Sequence, residues 1–254
     1  MTRGQSLPLL LAHRGDVRSA AENSVAALLA GAAAVDGIEF DVRIARDGVP
    51  VVIHDADLNR VHGVDRRVGD LTARELEPLG IPALADVLAA VPRRAFLDVE
   101  LKEPPTHVVV EVLASGRGPD LSRAAISSFE AAALRRIAAL APGWPRWLNV
   151  EGPITEASLA AATGLGCAAI SADWRSIDAR AVDRVRQAGL SLAAWTVRRR
   201  PTRRRLARLG VIAICVEGRA LAAWSDDERG ALDVRPGRGC VPCPMLHRRG
   251  RRDE

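Results

Sequence analysis

Residues 9–55, LLLAHRGDVRSAAENSVAALLAGAAAVDGIEFDVRIARDGVPVVIHD, decide the fold. The apolar run at 7–12 predicts a strand buried on both faces, as strands of parallel sheets are. Residues 25–34 are rich in Ala and Leu and predict a helix that begins after a Ser cap. A second strand is predicted at 37–44, and the turn residues after it predict a hairpin-like extension at 50–54. A strand, a helix and a second strand in this order are typical of a βα unit in a parallel sheet.

The same alternation of strand-like and helix-like segments continues along most of the chain. Further strands are predicted at 95–101, 124–128, 146–150, 167–171, 190–197 and 211–216, with helical segments between them. Together with 7–12 and 37–44 these make eight strands, the number that a closed TIM (β/α)8 barrel needs. The polar, irregular stretch at 57–80 is predicted as a short insertion after the second strand, with a capping box that begins at Thr72.

The barrel domain is predicted to span residues 1–225. Residues 226–254 are rich in Arg, Gly and Pro and have no apolar periodicity, so we expect a flexible, disordered C-terminal tail there. Within it, Cys240 and Cys243 with His247 resemble half of a zinc site. Because no second pair accompanies them, we do not expect a metal at this position.

The composition is that of a globular protein, with 48% hydrophobic and 26% charged residues in a chain of 254. The net charge of +5 comes almost entirely from arginine, since Lys102 is the single lysine. This pattern indicates a composition bias, so the basicity does not predict a nucleic-acid partner. It makes Lys102 informative, because a lysine where arginine is the default indicates a position that needs a compact ammonium group.

Cysteine content and hydropathy bear on the location of the protein. Four cysteines in a chain of this length are too few for a disulfide framework, which favours a reducing compartment and a cytoplasmic location. The apolar run at 7–12 is shorter than the core of a signal peptide. No run approaches the roughly 20 apolar residues of a membrane span, so no stable membrane insertion is expected.

Three carboxylates are candidates for binding a metal ion. Glu39 and Asp41 are two residues apart in one predicted strand and therefore point the same way, and Glu100 lies near the end of a later strand. All three could meet at the C-terminal mouth of a barrel, where hard oxygen ligands would suit Mg²⁺ or Ca²⁺. The alternative is that Glu39 and Asp41 are solvated residues of an edge strand. Their apolar neighbours at 38, 40 and 42 favour the metal, because unpaired carboxylates in a buried strand would be costly.

Two histidines, His13 and His54, each follow an apolar strand. At strand ends they fit a general acid/base pair, in which one ring takes a proton and the other gives one. Each could instead be a structural histidine, but the nearby carboxylates favour a role in a site. His62, His107 and His247 have no such setting and are interpreted as surface residues.

Two cationic side chains accompany these groups. Arg14 could hold a phosphate through a bidentate guanidinium, and Lys102 could do so as a point charge. Either could instead neutralise the carboxylates, and both roles are compatible with one site.

Nine short motifs occur in order along residues 9–216. They are HRG at 13–15, EN at 22–23, EFD at 39–41, RDGVPVVIHD at 46–55, DLTARELEPL at 70–79, IPALADVL at 81–88, VELK at 99–102, SSF at 127–129 and WTV at 195–197. Together they resemble the glycerophosphodiester phosphodiesterase family. One piece such as HRG would carry little weight, but the ordered set is highly specific.

The resemblance implies a TIM barrel that holds a divalent cation, Mg²⁺, Ca²⁺ or Mn²⁺. The ligands it implies are Glu39, Asp41 and Glu100. It also implies that His13 and His54 form the acid/base pair, and it leaves open which of them acts first.

The resemblance also implies a substrate. This would be a small glycerophosphodiester such as glycerophosphocholine or glycerophosphoethanolamine, cleaved by water to glycerol 3-phosphate and the alcohol. Arg14 and Lys102 would neutralise its phosphate. Trp195 would line the glycerol pocket, although ordinary barrel packing is an equal alternative for this residue.

The chain departs from the family pattern at three places. Ala21 stands where a proline is usual, Arg198 replaces the usual asparagine after WTV, and 216–219 read VEGR instead of Thr-Asp-x-Pro. The last two changes fall at the ends of the last two strands, so they bear on substrate preference more than on metal binding. The arginine-rich run at 198–205 is interpreted as a solvated helix start, with attraction of anionic head groups as the alternative.

Two other functions stay open. A lysophospholipase D-type reaction on lysolipids would keep the site and change the substrate, because the short insertion could leave an open mouth. A non-catalytic barrel that binds anionic lipid or nucleic acid is the second alternative. The full set of expected ligands and histidines opposes it, because a degenerate enzyme would be expected to lose some of them. The oligomeric state is left open as well.

Overall fold

The computed structural model of the protein describes residues 7–232. Its strands are β1 (Leu9–His13), β2 (Gly37–Ile44), β3 (Pro50–Val52), β4 (Asp57–Leu58), β5 (Val64–Arg67), β6 (Phe96–Leu101), β7 (Ala124–Ser128), β8 (Arg146–Val150), β9 (Ala169–Asp173), β10 (Ser191–Val197) and β11 (Ala213–Val216). Its helices are α1 (Val25–Ala34), α2 (Asn59–His62), α3 (Ala73–Leu76), α4 (Leu84–Ala90), α5 (His107–Arg117), α6 (Ala131–Leu140), α7 (Glu156–Gly164), α8 (Ala179–Gln187), α9 (Arg200–Leu209) and α10 (Asp226–Leu232). Strands and helices therefore alternate as the sequence predicts.

Eight parallel strands close into a barrel within residues 7–232. Starting from β1, the order around the ring is β11, β10, β9, β8, β7, β6 and β2, and β1 pairs with β2 as well as with β11. Helices follow β1 and each of the strands from β6 to β10. The predicted TIM barrel is confirmed.

The barrel strands are buried on both faces. Their outward side chains pack against the helices in the main hydrophobic core, where Leu10, Phe40 and Leu97 are fully buried. Inward side chains toward the N-terminal ends of the strands form the barrel floor, which consists of Leu11, Phe96, Ala125, Trp147, Ala169, Ala193 and Ala213. Phe96 and Trp147 stack there with ring centroids 5.9 Å apart. Because strand side chains alternate, residues two positions further along face the C-terminal mouth.

The insertion begins with β3, which pairs antiparallel with β2. Residues 57–80 then form β4, β5, α2, α3 and short 3-10 turns around a small core of their own, which includes Leu58, Val68 and Leu76. The predicted capping box is present, since the Thr72 hydroxyl accepts from the Glu75 backbone N–H and the Glu75 carboxylate accepts from the Thr72 N–H. The predicted insertion is therefore confirmed, and the next barrel helix, α4, starts only after it.

The chain stays folded past residue 225, the predicted end of the barrel domain. Helix α10 packs against α9, and Glu228 is buried between them. Its carboxylate pairs with Arg203 at 2.5 Å, and the fully buried Arg203 guanidinium also lies over the Trp224 ring. Residues 226–232, which the sequence analysis assigned to the tail, are therefore helical, and the rest of the predicted tail, 233–254, lies outside the described residues. The sequence pattern missed α10 because an ion pair, not an apolar stripe, anchors it.

Three findings bear on the predictions about location and the tail. Within residues 7–232, no helix is long and apolar enough to cross a membrane. Cys167 and Cys215 are buried free thiols in this part of the chain, and the cytoplasmic location stays a prediction. The predicted half zinc site of Cys240, Cys243 and His247 lies outside the described residues.

Candidate active site

The C-terminal ends of β2 and β6 bring the three predicted metal ligands together. Asp41 and Glu100 are register partners across these strands, and Glu39 lies two residues earlier in β2 on the same face. One oxygen from each of these carboxylates lies within 4.8 Å of the other two. The residues are only 5% (Glu39), 1% (Asp41) and 8% (Glu100) exposed. We refer to these three residues as the carboxylate cluster, and its oxygen donors suit a hard divalent cation.

Two cationic side chains contact the carboxylate cluster. Lys102 Nζ lies 2.9 Å from Asp41 Oδ1 and also pairs with Glu100. Arg14 Nε lies 3.3 Å from Asp41 Oδ2. A compact ammonium group can reach two carboxylates from one position, which gives a reason for lysine at 102 in a chain that otherwise uses arginine. Both cations neutralise the cluster here, and their contact with a substrate phosphate stays a prediction.

Asp41 differs from the other two carboxylates of the cluster because its pKa is lowered. Asn23 is buried beside it and donates from Nδ2 to Asp41 Oδ2 at 2.8 Å. Burial would raise the pKa of Asp41, but Lys102 and then Arg14 outweigh it and lower that pKa to about 2.

Glu39 and Glu100 experience the opposite effect. Burial, followed by the charge of Asp41, raises the pKa of each above the ordinary glutamate value. Among the described residues, Glu39 Oε1 is a buried atom with no hydrogen-bond partner. A divalent cation would give this oxygen a partner and offset the repulsion between the carboxylates, so the residues present fit the predicted metal.

A tight turn after β1 places Arg14 at the mouth. Arg14 has a φ of 54°, and its N–H donates to the Glu39 backbone carbonyl at 2.9 Å. Gly15 follows with a φ of +86°, and a Cβ at this position would lie 2.3 Å from the Ala27 backbone of α1. Only glycine fits both the backbone conformation and the close approach of the helix.

His13 lies between two carboxylates. Its Nε2 is 3.9 Å from Glu39 Oε2, and its Nδ1 is 3.3 Å from Glu217 Oε2. The hydrogen bond from His13 lowers the pKa of Glu217 to about 2, against the effect of burial. An ionised Glu217 accepts from Nδ1–H, which leaves Nε2 as the ring atom for proton transfer on the cluster side. Arg198 pairs with the second oxygen of Glu217.

His54 is oriented by a chain of charged side chains. Its Nδ1 lies 2.6 Å from Asp55 Oδ1, and Asp55 accepts from Arg60 at 2.5 Å. Arg60 also forms an ion pair with Glu22, in which Arg60 Nη2 lies 2.5 Å from Glu22 Oε1. Burial lowers the pKa of His54, although the charge of Asp41 opposes the shift. The neutral ring is therefore favoured at pH 7, with Nδ1–H donated to Asp55 and Nε2 able to accept a proton.

Trp195 lies at the mouth, on the inward face of β10. Its Nε1 donates to the Ser171 carbonyl at 2.9 Å, and its ring meets Phe129 edge-on with centroids 5.5 Å apart. Phe129 is 42% exposed, so its ring reaches the surface of the mouth. The two rings form an aromatic wall, and the role of Trp195 in binding glycerol stays a prediction.

Several charged residues of the site were not predicted. Asp55 and Glu217 each accept from the Nδ1 of one histidine. Asp55 directly follows His54 and Glu217 directly follows β11, so a carboxylate at a strand end was the signal available in the sequence. Asp98 lies two residues before Glu100 on the same face of β6, and burial raises its pKa to about 7.

The arginine run at 198–205 is not uniformly solvated. Arg203 is fully buried, and Arg205 donates to the Ile177 carbonyl at 2.8 Å. Arg199 and Arg200 are exposed at the start of α9. The interpretation of the run as a solvated helix start is therefore wrong for Arg203, because the helix turns this residue toward Glu228 of α10.

The barrel and the groups at its mouth fit an enzyme of the phosphoric diester hydrolase class. Residues 13–218 match the model of the glycerophosphoryl diester phosphodiesterase family, and the chain belongs to this family. It is 28% identical over 228 residues to a glycerophosphodiester phosphodiesterase of Caldanaerobacter subterraneus subsp. tengcongensis, an alignment that covers 82% of this chain and 93% of the relative.

Solved structures agree with this assignment. A phosphodiesterase of Oleispira antarctica in complex with the product sn-glycerol-3-phosphate matches with a TM-score of 0.73 and 29% identity, over 83% of this chain and 93% of that chain. A glycerophosphodiester phosphodiesterase of Thermotoga maritima matches with a TM-score of 0.70 and 23% identity, over 83% and 95% of the two chains, and supports the fold. The predicted family and enzyme class are confirmed.

Proposed function

We propose that the protein hydrolyses glycerophosphodiesters to glycerol 3-phosphate and an alcohol, with a divalent cation bound at the carboxylate cluster. The observation that carries this proposal is the meeting of the cluster with His13 and His54 at one mouth of the barrel. Family membership supports the same reaction. The Oleispira antarctica relative holds sn-glycerol-3-phosphate, which this reaction would release.

Glu39, Asp41 and Glu100 would hold the cation, which we expect to be Mg²⁺, Ca²⁺ or Mn²⁺. Bound there, it would stabilise negative charge on the phosphoryl oxygens as the ester bond breaks. Asp41 has a lowered pKa, whereas the pKa values of Glu39 and Glu100 are raised, so a bound cation would favour the deprotonated forms of these two glutamates.

Arg14 and Lys102 would hold the substrate phosphate while keeping the cluster from excess negative charge. Both already contact Asp41, so their positive charges lie where a phosphate beside the cation would sit. Fixed positive charge at that position stabilises an oxyanion without reorganisation during the reaction. Trp195 and Phe129 would pack against the carbon skeleton of the substrate.

His13 and His54 would divide the proton transfers. Each ring has its Nδ1 held by a carboxylate, so the same atom, Nε2, remains for the reaction in both. One ring would take a proton from the attacking water, and the other would protonate the oxygen of the leaving alcohol. Asp55 and Glu217 act as positioning residues, because they fix the tautomer and orientation of the two rings.

The test is release of glycerol 3-phosphate from glycerophosphocholine and glycerophosphoethanolamine, each with Mg²⁺, Ca²⁺, Mn²⁺ or excess chelator. Wild-type protein should release it with at least one of the metals and not with chelator. The variants His13→Asn and Glu39→Gln should lose activity by at least about a hundredfold. Glu111→Gln is the matched control, because Glu111 is an exposed glutamate on α5.

An assay with a lysolipid substrate distinguishes the proposed reaction from the nearest alternative. Turnover of micellar lysophosphatidylcholine with none of the soluble diesters would replace the proposal with a lysophospholipase D-type reaction. Folded protein that releases no product from either substrate class with any metal would overturn the proposal.

A further inference from the structure

A second charged feature lies beside the mouth, between the start of α9 and the turn after β11. It is a cleft of about 580 Å³ lined by Arg18, Arg199, Arg200, Pro201, Arg219, Leu221 and Ala222. We call it the arginine cleft. Four of its seven lining residues carry a guanidinium group, and none carries a carboxylate, so the lining is strongly positive.

The charges of the arginine cleft are only partly balanced. Arg18 pairs with Asp16 at 2.8 Å. Within residues 7–232, Arg199, Arg200 and Arg219 have no carboxylate within 4.0 Å. Elsewhere on α9, Arg203 and Arg204 pair with Glu228. What distinguishes Arg199, Arg200 and Arg219 from other arginines without a carboxylate partner is that they line one cleft together.

The start of α9 adds to the positive potential. This helix has ten residues, its N-cap is Arg199, and no side chain caps its first turn. The backbone N–H groups of a helix start carry partial positive charge and attract anions. Three unpaired guanidinium groups at such a position repel one another, and a bound anion would remove this repulsion.

The arginine cleft is joined to the proposed catalytic histidine by a short chain of contacts. Glu217 accepts from His13 through one oxygen and pairs with Arg198 through the other. Arg198 directly precedes Arg199, and Arg18 Nη1 donates to the Gly218 carbonyl at 3.4 Å. The cleft therefore adjoins the His13 side of the mouth.

We propose that the arginine cleft is a subsite for the leaving alcohol, and that it selects glycerophosphodiesters whose alcohol carries a further phosphomonoester. Such a group has nearly two negative charges and three acceptor oxygens, which suit several guanidinium donors at once. This inference rests on the proposed hydrolysis of glycerophosphodiesters. It adds the charge of the alcohol as the property that the enzyme selects.

The test compares two substrates with the same alcohol, glycerophosphoinositol and glycerophosphoinositol 4-phosphate. In the wild type, kcat/KM should be at least about tenfold higher for the phosphorylated substrate. In the double variant Arg199→Gln/Arg219→Gln this ratio should fall to about one, while kcat/KM for glycerophosphoinositol changes less than about twofold. The control Arg94→Gln/Arg208→Gln removes the same charge from exposed positions at the opposite end of the barrel and should keep the wild-type ratio.

A wild-type ratio of about one, or a ratio that survives in the double variant, overturns the subsite. A further measurement adds inorganic phosphate to the glycerophosphoinositol assay. Suppose that inorganic phosphate changes the turnover of glycerophosphoinositol in the wild type but not in the double variant, and that the wild type does not prefer the phosphorylated substrate. The cleft then binds free phosphate, and the proposal is wrong. Absence of turnover of both substrates in the wild type would instead count against the proposed function.

Discussion

The two ends of the barrel interior use the same strands in opposite ways. At the barrel floor, Phe96 and Trp147 stack among small apolar side chains. At the mouth, the inward positions of the same sheet hold Glu39, Asp41 and Glu100. On β6 the change takes place within five residues, from Phe96 to Glu100. The floor stabilises the fold through packing, whereas the mouth gathers like charges that packing alone would not favour.

Because of this difference, we expect side chains at the floor to determine the stability of the fold and side chains at the mouth to determine activity. Substitutions at the floor should lower the free energy of unfolding and leave the chemistry of the folded fraction intact. Substitutions at the mouth should lower turnover and leave the fold intact or more stable.

The largest effect is expected for His54→Asn at the mouth. Loss of one proton-transfer group should reduce kcat/KM for glycerophosphocholine by about 10²–10⁴-fold. The melting temperature should stay close to that of the wild type, since the ring is half-buried and at the mouth. His107→Asn removes an exposed histidine at the start of α5 and should keep full activity. A His54→Asn protein with wild-type turnover would remove this residue from the mechanism.

At the floor, Trp147→Ala should lower the free energy of unfolding by about 3–5 kcal/mol, because it removes a large buried side chain. Trp147 is 1% exposed. Urea unfolding measures this change, and kcat per folded molecule should remain at the wild-type value. Phe129→Ala at the mouth provides the contrast, with a stability change within about 1 kcal/mol. Equal destabilisation by the two substitutions would contradict the proposed division between floor and mouth.

Cation binding should depend on pH. Glu39 and Glu100 have raised pKa values and must be deprotonated to bind a metal, so affinity should increase as pH rises above 4.5, the ordinary glutamate value. For each proton released, Kd should fall by up to about tenfold per pH unit. Calorimetric titration with Mg²⁺ in buffers of different ionisation enthalpy measures the proton release. A Kd that is constant between about pH 5 and 8 would contradict the raised pKa values.

The smallest effect is expected for Glu39→Gln in the metal-free protein. A carboxyl whose pKa is raised on folding contributes stability below its unfolded pKa, and this contribution is lost as pH rises through the folded value. At neutral pH a negative charge on Glu39 is therefore unfavourable. Its removal in Glu39→Gln should raise the free energy of unfolding by on the order of 1 kcal/mol. Thermal unfolding in excess chelator should show a higher melting temperature for this variant than for Glu111→Gln. A lower melting temperature would mean that the cluster charges are fully compensated without a cation.

Strand periodicity and strand ends made much of the fold and site predictable. The apolar runs correctly indicated the parallel strands, and the i, i+2 spacing of Glu39 and Asp41 put both carboxylates on one face. Helix α10 was not predictable in this way, because its anchor is the ion pair between Glu228 and Arg203. A long-range pair of this kind leaves no local pattern in the sequence.

The partners of the histidines were also beyond local patterns. Glu217 lies 204 residues from His13 in the sequence and meets it only because β11 closes the barrel next to β1. The arginine cleft likewise joins residue 18 to residues around 200 and 219. The sequence identifies such residues as charged, whereas their meeting depends on closure of the barrel.

Binding of the divalent cation is proposed to take place at the carboxylate cluster. The most direct measurement is calorimetric titration of Mg²⁺, Ca²⁺ and Mn²⁺ into the metal-free wild type and into Glu39→Gln, Glu100→Gln and Glu111→Gln. We expect one cation bound per chain in the wild type and in Glu111→Gln, with affinity reduced by at least about a hundredfold in the two cluster variants. Equal affinity in all four proteins, or release of glycerol 3-phosphate by wild-type protein in excess chelator, would contradict it.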